Sequence, residues 1–285
     1  MDIEYRLGSF RPGELNRAGN YTVSAGGKGI NVSRAIMTCA KRDGNRFPFR
    51  LRTVAPVGGA TGETFRKILE DEGISTRYFV GIEGSTRVNV SLIAEDGGQT
   101  EINAPGPPVG DKLGEIEAAA LAEIGPGDVV LIAGSCPKDV PKSYPSELVG
   151  KIREKGAAAV LDCDGEALRI AVNAPVKPDI IKPNREELAA LCGTGTDGAS
   201  LVRAAESLDI PTVLTTLAGD GCLLKDVGNP PFFMETVKRP VVRLKGAGDT
   251  FLGAYLYARF VCSHPYPESA VEYAMSIAGD YVAGE

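Results

Sequence analysis

The sequence has no tryptophan and a single histidine, His264, which sits in the turn-like stretch Cys-Ser-His-Pro-Tyr-Pro. Serine and cysteine hydrolase triads need an imidazole base beside the nucleophile, and a lone histidine in such a turn is a poor candidate. Gly-x-Ser-x-Gly and His-Glu-x-x-His are missing as well, so acyl-enzyme and zinc-hydrolase chemistry find no support. Cys39, Cys136, Cys163, Cys192, Cys222 and Cys262 are spread singly, with no C-x-x-C pair, which argues against a disulfide framework or a zinc site. They read as reduced, mostly buried thiols.

No run approaches the ~18 apolar residues of a membrane span. The start, with Asp2, Glu4 and Arg6, has no apolar signal core. The expected compartment is the cytoplasm, with no membrane partner. No basic cluster stands out either: 31 Lys+Arg face 37 Asp+Glu, for a net charge of -6. Nucleic acid is therefore not an expected partner. A small phosphate ester stays compatible, because a helix N-terminus and a few local cations hold a phosphate inside an acidic surface. Repeats and low-complexity tracts are absent, which excludes solenoids, collagen and coiled coils.

What is present is an α/β pattern of a length that fits one large domain. VVLIA at 129–133, AAAVLD at 157–162 and TVLTT at 212–216 are apolar runs of the kind that form strands buried on both faces. Helical stretches at 113–124, 143–155 and 185–191 alternate with them, predicting a mostly parallel sheet with helices on both sides. Ligands then belong at the carboxyl ends of the strands. Segments 3–22 and 86–104 break the pattern. The second alternates polar and apolar residues around Asp96-Gly97, a hairpin signal, with Val88, Val90 and Leu92 on one face and Arg87, Asn89 and Ser91 on the other. On this pattern alone Arg87 reads equally well as a solvated arginine or as a ligand contact.

The sharpest local feature is Lys245-Gly246-Ala247-Gly248-Asp249-Thr250, leading into the apolar stretch FLGAYLYARF. Glycines at a helix entry let the amides of Gly246, Ala247 and Gly248 converge on an anion, and Asp249 beside them is placed to take a proton from a hydroxyl. A plain helix N-cap at Asp249 is the other reading. Ala25-Gly26-Gly27-Lys28-Gly29-Ile30-Asn31 fails the Walker pattern, since no Ser or Thr follows Lys28. It remains a tight turn gathering amides, Lys28 and Asn31 near a small polar ligand, or else a simple helix entry. Lys182-Pro183-Asn184-Arg185-Glu186-Glu187 opens a helix, where Asn184 and Glu187 either form a capping box or stand near Mg2+ and its waters. Asp162 and Asp164 end a strand on the ligand side, as metal-binding carboxylates or as caps.

The order of AGGKGINVSRAI (25–36), VGG (57–59), STRVNV (85–90), AGSCP (133–137), KPNREEL (182–188), TTLAGDG (215–221) and KGAGDTFLGA (245–254) resembles the PfkB, or ribokinase-like, carbohydrate kinases along essentially the whole chain. Glu101-Ile102-Asn103-Ala104-Pro105-Gly106-Pro107 is most similar to the bacterial 1-phosphofructokinase branch. The resemblance implies a single three-layer α/β/α sandwich with a mostly parallel central sheet, plus a small β flap, about 3–22 and 86–104, that acts as a lid and as the contact of a homodimer. Asp249 then matches the catalytic base, and Gly246, Ala247 and Gly248 the anion hole. Asp2, Gly26, Gly27, Lys28 and Asn31 match sugar-binding positions, with Arg87 and Ser135 on the substrate's own phosphate. Lys182, Asn184 and Glu187 face ATP phosphates and Mg2+, and Thr216, Gly219 and Gly221 the nucleotide. The implied reaction is ATP-dependent phosphorylation of a ketohexose phosphate, foremost fructose 1-phosphate. A tagatose 6-phosphate or fructose 6-phosphate kinase, a ribose or nucleoside kinase, and a sugar-phosphate binder without turnover remain as alternatives.

Overall fold

A computed structural model describes residues 1–163, 165–264 and 266–285, in which the chain divides into two compact units. One comprises Met1–Gly27, Arg52–Ala120 and Pro137–Val140, the other Lys28–Leu51, Leu121–Cys136 and Pro141–Glu285. In chain order the elements begin with β1 (Asp2–Leu7), β2 (Asn20–Ser24), α1 (Lys28–Arg42), β3 (Pro56–Val57), α2 (Gly59–Asp71), β4 (Val80–Gly81), β5 (Asn89–Ala94) and β6 (Gln99–Asn103). There follow α3 (Leu113–Leu121), β7 (Val129–Ala133), α4 (Tyr144–Glu154), β8 (Ala158–Asp162), α5 (Gly165–Asn173), β9 (Ile180–Ile181) and α6 (Arg185–Cys192). The last are α7 (Gly198–Ser207), β10 (Thr212–Thr216), β11 (Cys222–Asp226), β12 (Phe232–Met234), α8 (Ala247–Leu256) and α9 (Pro267–Ala283).

The second unit is built on a six-stranded sheet in the order β12-β11-β10-β9-β8-β7. Strands β7 to β10 run parallel, while β11 and β12 are added as antiparallel neighbours. Adjacent residues of the inner strands feed opposite cores, as period-2 side chains must. Leu161, Ile181, Val213 and Leu223 pack with α5, α6 and α7, whereas Val160, Ile180, Leu214 and Leu224 pack with α8 and α9. The result is the expected α/β/α layering around a mostly parallel sheet. β7 departs from the reading of its sequence: all five residues are only half-buried, because the strand stands at the edge of this sheet. α3 also stops short of the predicted residue 124, at Leu121, ahead of Glu123 with its positive φ of 55°.

Two helices of this unit, α1 and α8, approach so closely that a β-carbon on Gly253 would lie 2.7 Å from Ala35 Cβ and 2.8 Å from Val32 O. One helical turn before Gly253 stands Asp249, and one turn before Ala35 stands Asn31, so this close approach is what brings those two side chains together. Gly253→Ala therefore trades a helix-propensity gain of ~1 kcal/mol for overpacking, with a net loss of about 2 kcal/mol expected. A urea-unfolding midpoint unchanged from the parent would contradict this.

The first unit carries a four-stranded sheet, order β2-β1-β5-β6, in which β1 and β5 are parallel and the two outer pairings antiparallel. β5 and β6 form the hairpin that the alternation around Asp96-Gly97 predicts. Its register sets Tyr5 beside Tyr21 and Leu92, and Val90 beside Ile3 and Ile102. One face of the sheet is thus apolar, and Tyr21, Val23 and Ile102 on it are exposed. The other face carries Asp2, Glu4, Asn89, Ser91 and Glu101. β3 and β4 make a separate two-stranded parallel pair.

Candidate active site

In the second unit the loop before α8 ends at Gly246, whose left-handed φ of 86° turns the chain into the helix. Tyr281 Oη donates to Lys245 O at 2.8 Å and would meet a β-carbon on Gly246 at 2.9 Å, so α9 fixes this turn. The Ala247 amide folds back on Leu244 O at 3.1 Å and that of Thr250 on Gly246 O at 2.8 Å. Among the described residues, the amides of Gly246, Gly248 and Asp249 have no acceptor in the protein. The open donors therefore include Asp249 in place of Ala247, the residue that the sequence suggests for the anion hole. The cause is the tightness of the turn, which spends the Ala247 N–H locally.

Asp249 Oδ2 accepts from Asn31 Nδ2 at 2.8 Å, and Asn31 Oδ1 accepts from Arg34 Nη1 at 3.0 Å. Burial pushes the Asp249 carboxyl above the ordinary carboxylate range; Asp162 adds to this, while Asn31, Lys182 and Lys28 oppose it. Lys28, predicted in a turn, is the first residue of α1, and Asn31 follows in its first turn. Lys28 Nζ and Lys182 Nζ stand 3.2 and 3.5 Å from one oxygen of buried Asp162. Asp162 is thus a lysine partner rather than a cap, and Asp164 lies outside the described residues. Among the described residues no group of three or more His, Cys, Asp or Glu is arranged to hold a metal.

On the side assigned to the nucleotide, Asn184 and Glu187 form the capping box: Glu187 N donates to Asn184 Oδ1 at 2.8 Å and Asn184 N to Glu187 Oε2 at 2.7 Å. A bridge between Asn184 and Thr216 sets the start of α6 against the end of β10. Gly221, with φ of 105°, is required by packing, since a β-carbon there would fall 2.0 Å from Met234 O. Gly219 is open, with nothing within 4 Å of such an atom. A cavity of about 520 Å³ is lined by Gly134, Ser135, Lys142, Glu166 and Glu187 among others. It places Ser135 and Glu187 on one wall system and adds Lys142, which no motif in the sequence marks.

In the first unit a β-carbon on Gly26 would lie 2.2 Å from Asp2 Oδ2, and Asp2 Oδ1 accepts from Asn89 Nδ2 at 3.0 Å. Gly27 takes the positive φ of 125° that the turn needs. Asn89, which the alternation puts on the polar face and no motif marks, has a buried Oδ1 with no hydrogen-bond partner among the described residues. The Val57-Gly58-Gly59 motif has a local purpose. A β-carbon on Gly58 would sit 2.5 Å from Ile82 O, and its amide donates to Thr86 Oγ1 at 3.0 Å, holding the segment that leads into Arg87. The Arg87 side chain is exposed, and its carbonyl accepts from the N-terminal ammonium at 2.9 Å.

The pattern of the pfkB family carbohydrate kinases matches residues 1–278, and the chain belongs to that family. It is a phosphotransferase with an alcohol group as acceptor, and kinases of this family use ATP. Over 260 residues the chain is 33% identical to the 1-phosphofructokinase of Bacillus subtilis (strain 168), covering 90% of this chain and 81% of that one. The crystal structure of Escherichia coli phosphofructokinase-2 in complex with fructose-6-phosphate is similar with a TM-score of 0.87 and 26% identity, over 99% of this chain and 90% of that one. A possible 1-phosphofructokinase from Thermotoga maritima gives a TM-score of 0.82 at 25% identity, over 99% and 88%. Among the described residues no helix is long and apolar enough to cross a membrane.

Proposed function

We propose that the protein transfers the γ-phosphoryl group of ATP to the free primary hydroxyl of fructose 1-phosphate, giving fructose 1,6-bisphosphate and ADP in the cytoplasm. The observation that carries this reading is the partly buried Asp249, its carboxyl made more basic by its surroundings, at a helix start with open amides. Asp249 takes the hydroxyl proton as that oxygen bonds to the γ-phosphorus and the bond to the β,γ-bridging oxygen breaks. The Gly246, Gly248 and Asp249 amides meet the charge on the moving group, with the dipole of α8 behind them. Lys182 neutralises ATP phosphates, with Thr216 and Gly219 on the nucleotide. Lys28, Asn31, Asp2, Gly26 and Gly27 bind the sugar, and Arg87 and Ser135 its phosphate.

The donor set fits Mg2+ in a water-mediated mode: Glu187 lines the cavity with one carboxylate oxygen spent on the capping box and the other without a partner among the described residues. Bound there through water with Asn184, the ion supplies charge neutralisation to the phosphates. Segments 3–22 and 86–104 act as the lid in this reading, which keeps water from competing as acceptor. The exposed apolar face bearing Tyr21, Val23 and Ile102 supports a homodimer formed through that sheet. Ile102→Asp is expected to shift the sedimentation of the protein from dimer to monomer, and a monomeric parent would contradict the dimer.

The resemblance to the B. subtilis enzyme supports fructose 1-phosphate, and the ligand of the E. coli structure makes fructose 6-phosphate the second substrate to test. A coupled ADP-release assay over fructose 1-phosphate, fructose 6-phosphate, tagatose 6-phosphate, fructose and ribose, beside calorimetry, decides. Highest kcat/KM on fructose 1-phosphate is expected. Preference for an unphosphorylated sugar, or phosphosugar binding with no turnover, would overturn the reading.

A further inference from the structure

Asp162 is 1% exposed at the carboxyl end of β8, and no local bond accounts for it. Its Oδ2 is buried with no hydrogen-bond partner among the described residues, so its pairing is all through Oδ1. That oxygen serves two ammonium groups from different elements: Lys28 of α1 at 3.2 Å and Lys182, just beyond β9, at 3.5 Å. A carboxylate this deep is retained only where cations offset its desolvation, and among the described residues those cations are the two lysines. Lys182 Nζ in turn sits 3.7 Å from where a β-carbon on Gly248 would be, against the open amides of α8. A longer residue at 248 would push the ammonium away.

The structure assigns Asp162 as a positioning residue that holds Lys28 and Lys182 on one carboxylate oxygen and couples them. The consequence rests on the roles proposed above, in which Lys28 belongs to the sugar and Lys182 to ATP. A phosphate or hydroxyl drawing one ammonium off Oδ1 tightens the hold of that oxygen on the other, so occupancy of one half is felt in the other. Asp162 also faces Asp249 electrostatically, together with Lys182, Lys28 and the Asn31 amide. Removing its charge is expected to move the acid limb of kcat/KM to lower pH, because a like charge that resists ionisation of Asp249 is gone.

The first test needs no substrate. Competitive labelling with acetic anhydride, read lysine by lysine by mass spectrometry, reports how firmly each ammonium is held in its ion pair. In Asp162→Asn, loss of the shared anion is expected to raise labelling of Lys28 and Lys182 on the order of 10-fold, with the other lysines unmoved. Lys28 is one-third exposed, so Lys28→Gln keeps the fold even where Asp162→Asn does not, and it leaves Oδ1 to Lys182 alone. Labelling of Lys182 should then slow. An unchanged Lys182 rate in Lys28→Gln overturns the coupling, as does unchanged labelling of both lysines in a folded Asp162→Asn.

In the kinetic arm, Asp162→Asn lowers kcat/KM for both substrates and adds less in the Lys28→Gln background than it does alone, whereas full additivity overturns the assignment. Absence of kinase activity in the parent would remove the proposed reaction but leave the labelling result intact.

Discussion

Asp249→Asn is expected to lower kcat by ~10² to 10⁴ with little change in substrate binding, the span for loss of a general base. The amide is nearly isosteric, and its oxygen still accepts from Asn31 Nδ2, so the geometry of the site is kept. The same carboxyl gives a second readout through pH. Its folded-state pKa is raised, chiefly by burial, so its contribution to stability is full below the ordinary carboxylate value and is lost as pH rises through the folded one. At neutral pH the ionised acid therefore costs stability. The asparagine variant should melt no lower than the parent at pH 7, with its advantage shrinking on acidification. In the parent, kcat/KM should fall on acidification at a pH above the ordinary carboxylate range, and the variant's residual rate should lack that limb. Near-normal turnover in a coupled ADP-release assay would remove Asp249 from the chemistry.

The sequence displays what is local. Apolar runs, the alternation around Asp96-Gly97 and the Asn184 to Glu187 spacing each encode contacts within a few residues, and the strands, hairpin and capping box follow from them. The pairings that build the site are not of that kind. Asn31 and Asp249 meet only because Gly253 lets α8 close on α1, and Lys28 and Asp162 are joined across 134 positions of sequence. A two-residue strand such as β9 is too short to show a period, and the half-burial of β7 depends on its place at a sheet edge, which its own five residues do not specify. At the turn into α8 the residues are legible but the open amides are not, since which amide is spent in a turn is decided by its backbone angles.

Arg87 carries the other large expected effect, and it concerns specificity rather than the chemical step. Its side chain is exposed and enters no ion pair among the described residues, while its backbone is held by the N-terminal ammonium and the clamped segment before it. Truncation should therefore change stability by no more than ~0.5 kcal/mol, the usual range for a surface site. An unfolding midpoint equal to that of the parent would establish this. A guanidinium that the fold does not use still has five donors in a rigid fork, which matches a phosphate and gives an unphosphorylated sugar nothing equivalent. Arg87→Ala should lower kcat/KM for fructose 1-phosphate more than ~100-fold, about 2.7 kcal/mol, as for loss of a charged hydrogen-bonded pair. Arg87→Lys should recover only part of the loss, because it restores the charge without the fork. Any rate on fructose itself should not move in either variant. Equal losses on fructose and fructose 1-phosphate would instead place Arg87 in the architecture of the strand and leave the substrate's phosphate to other residues.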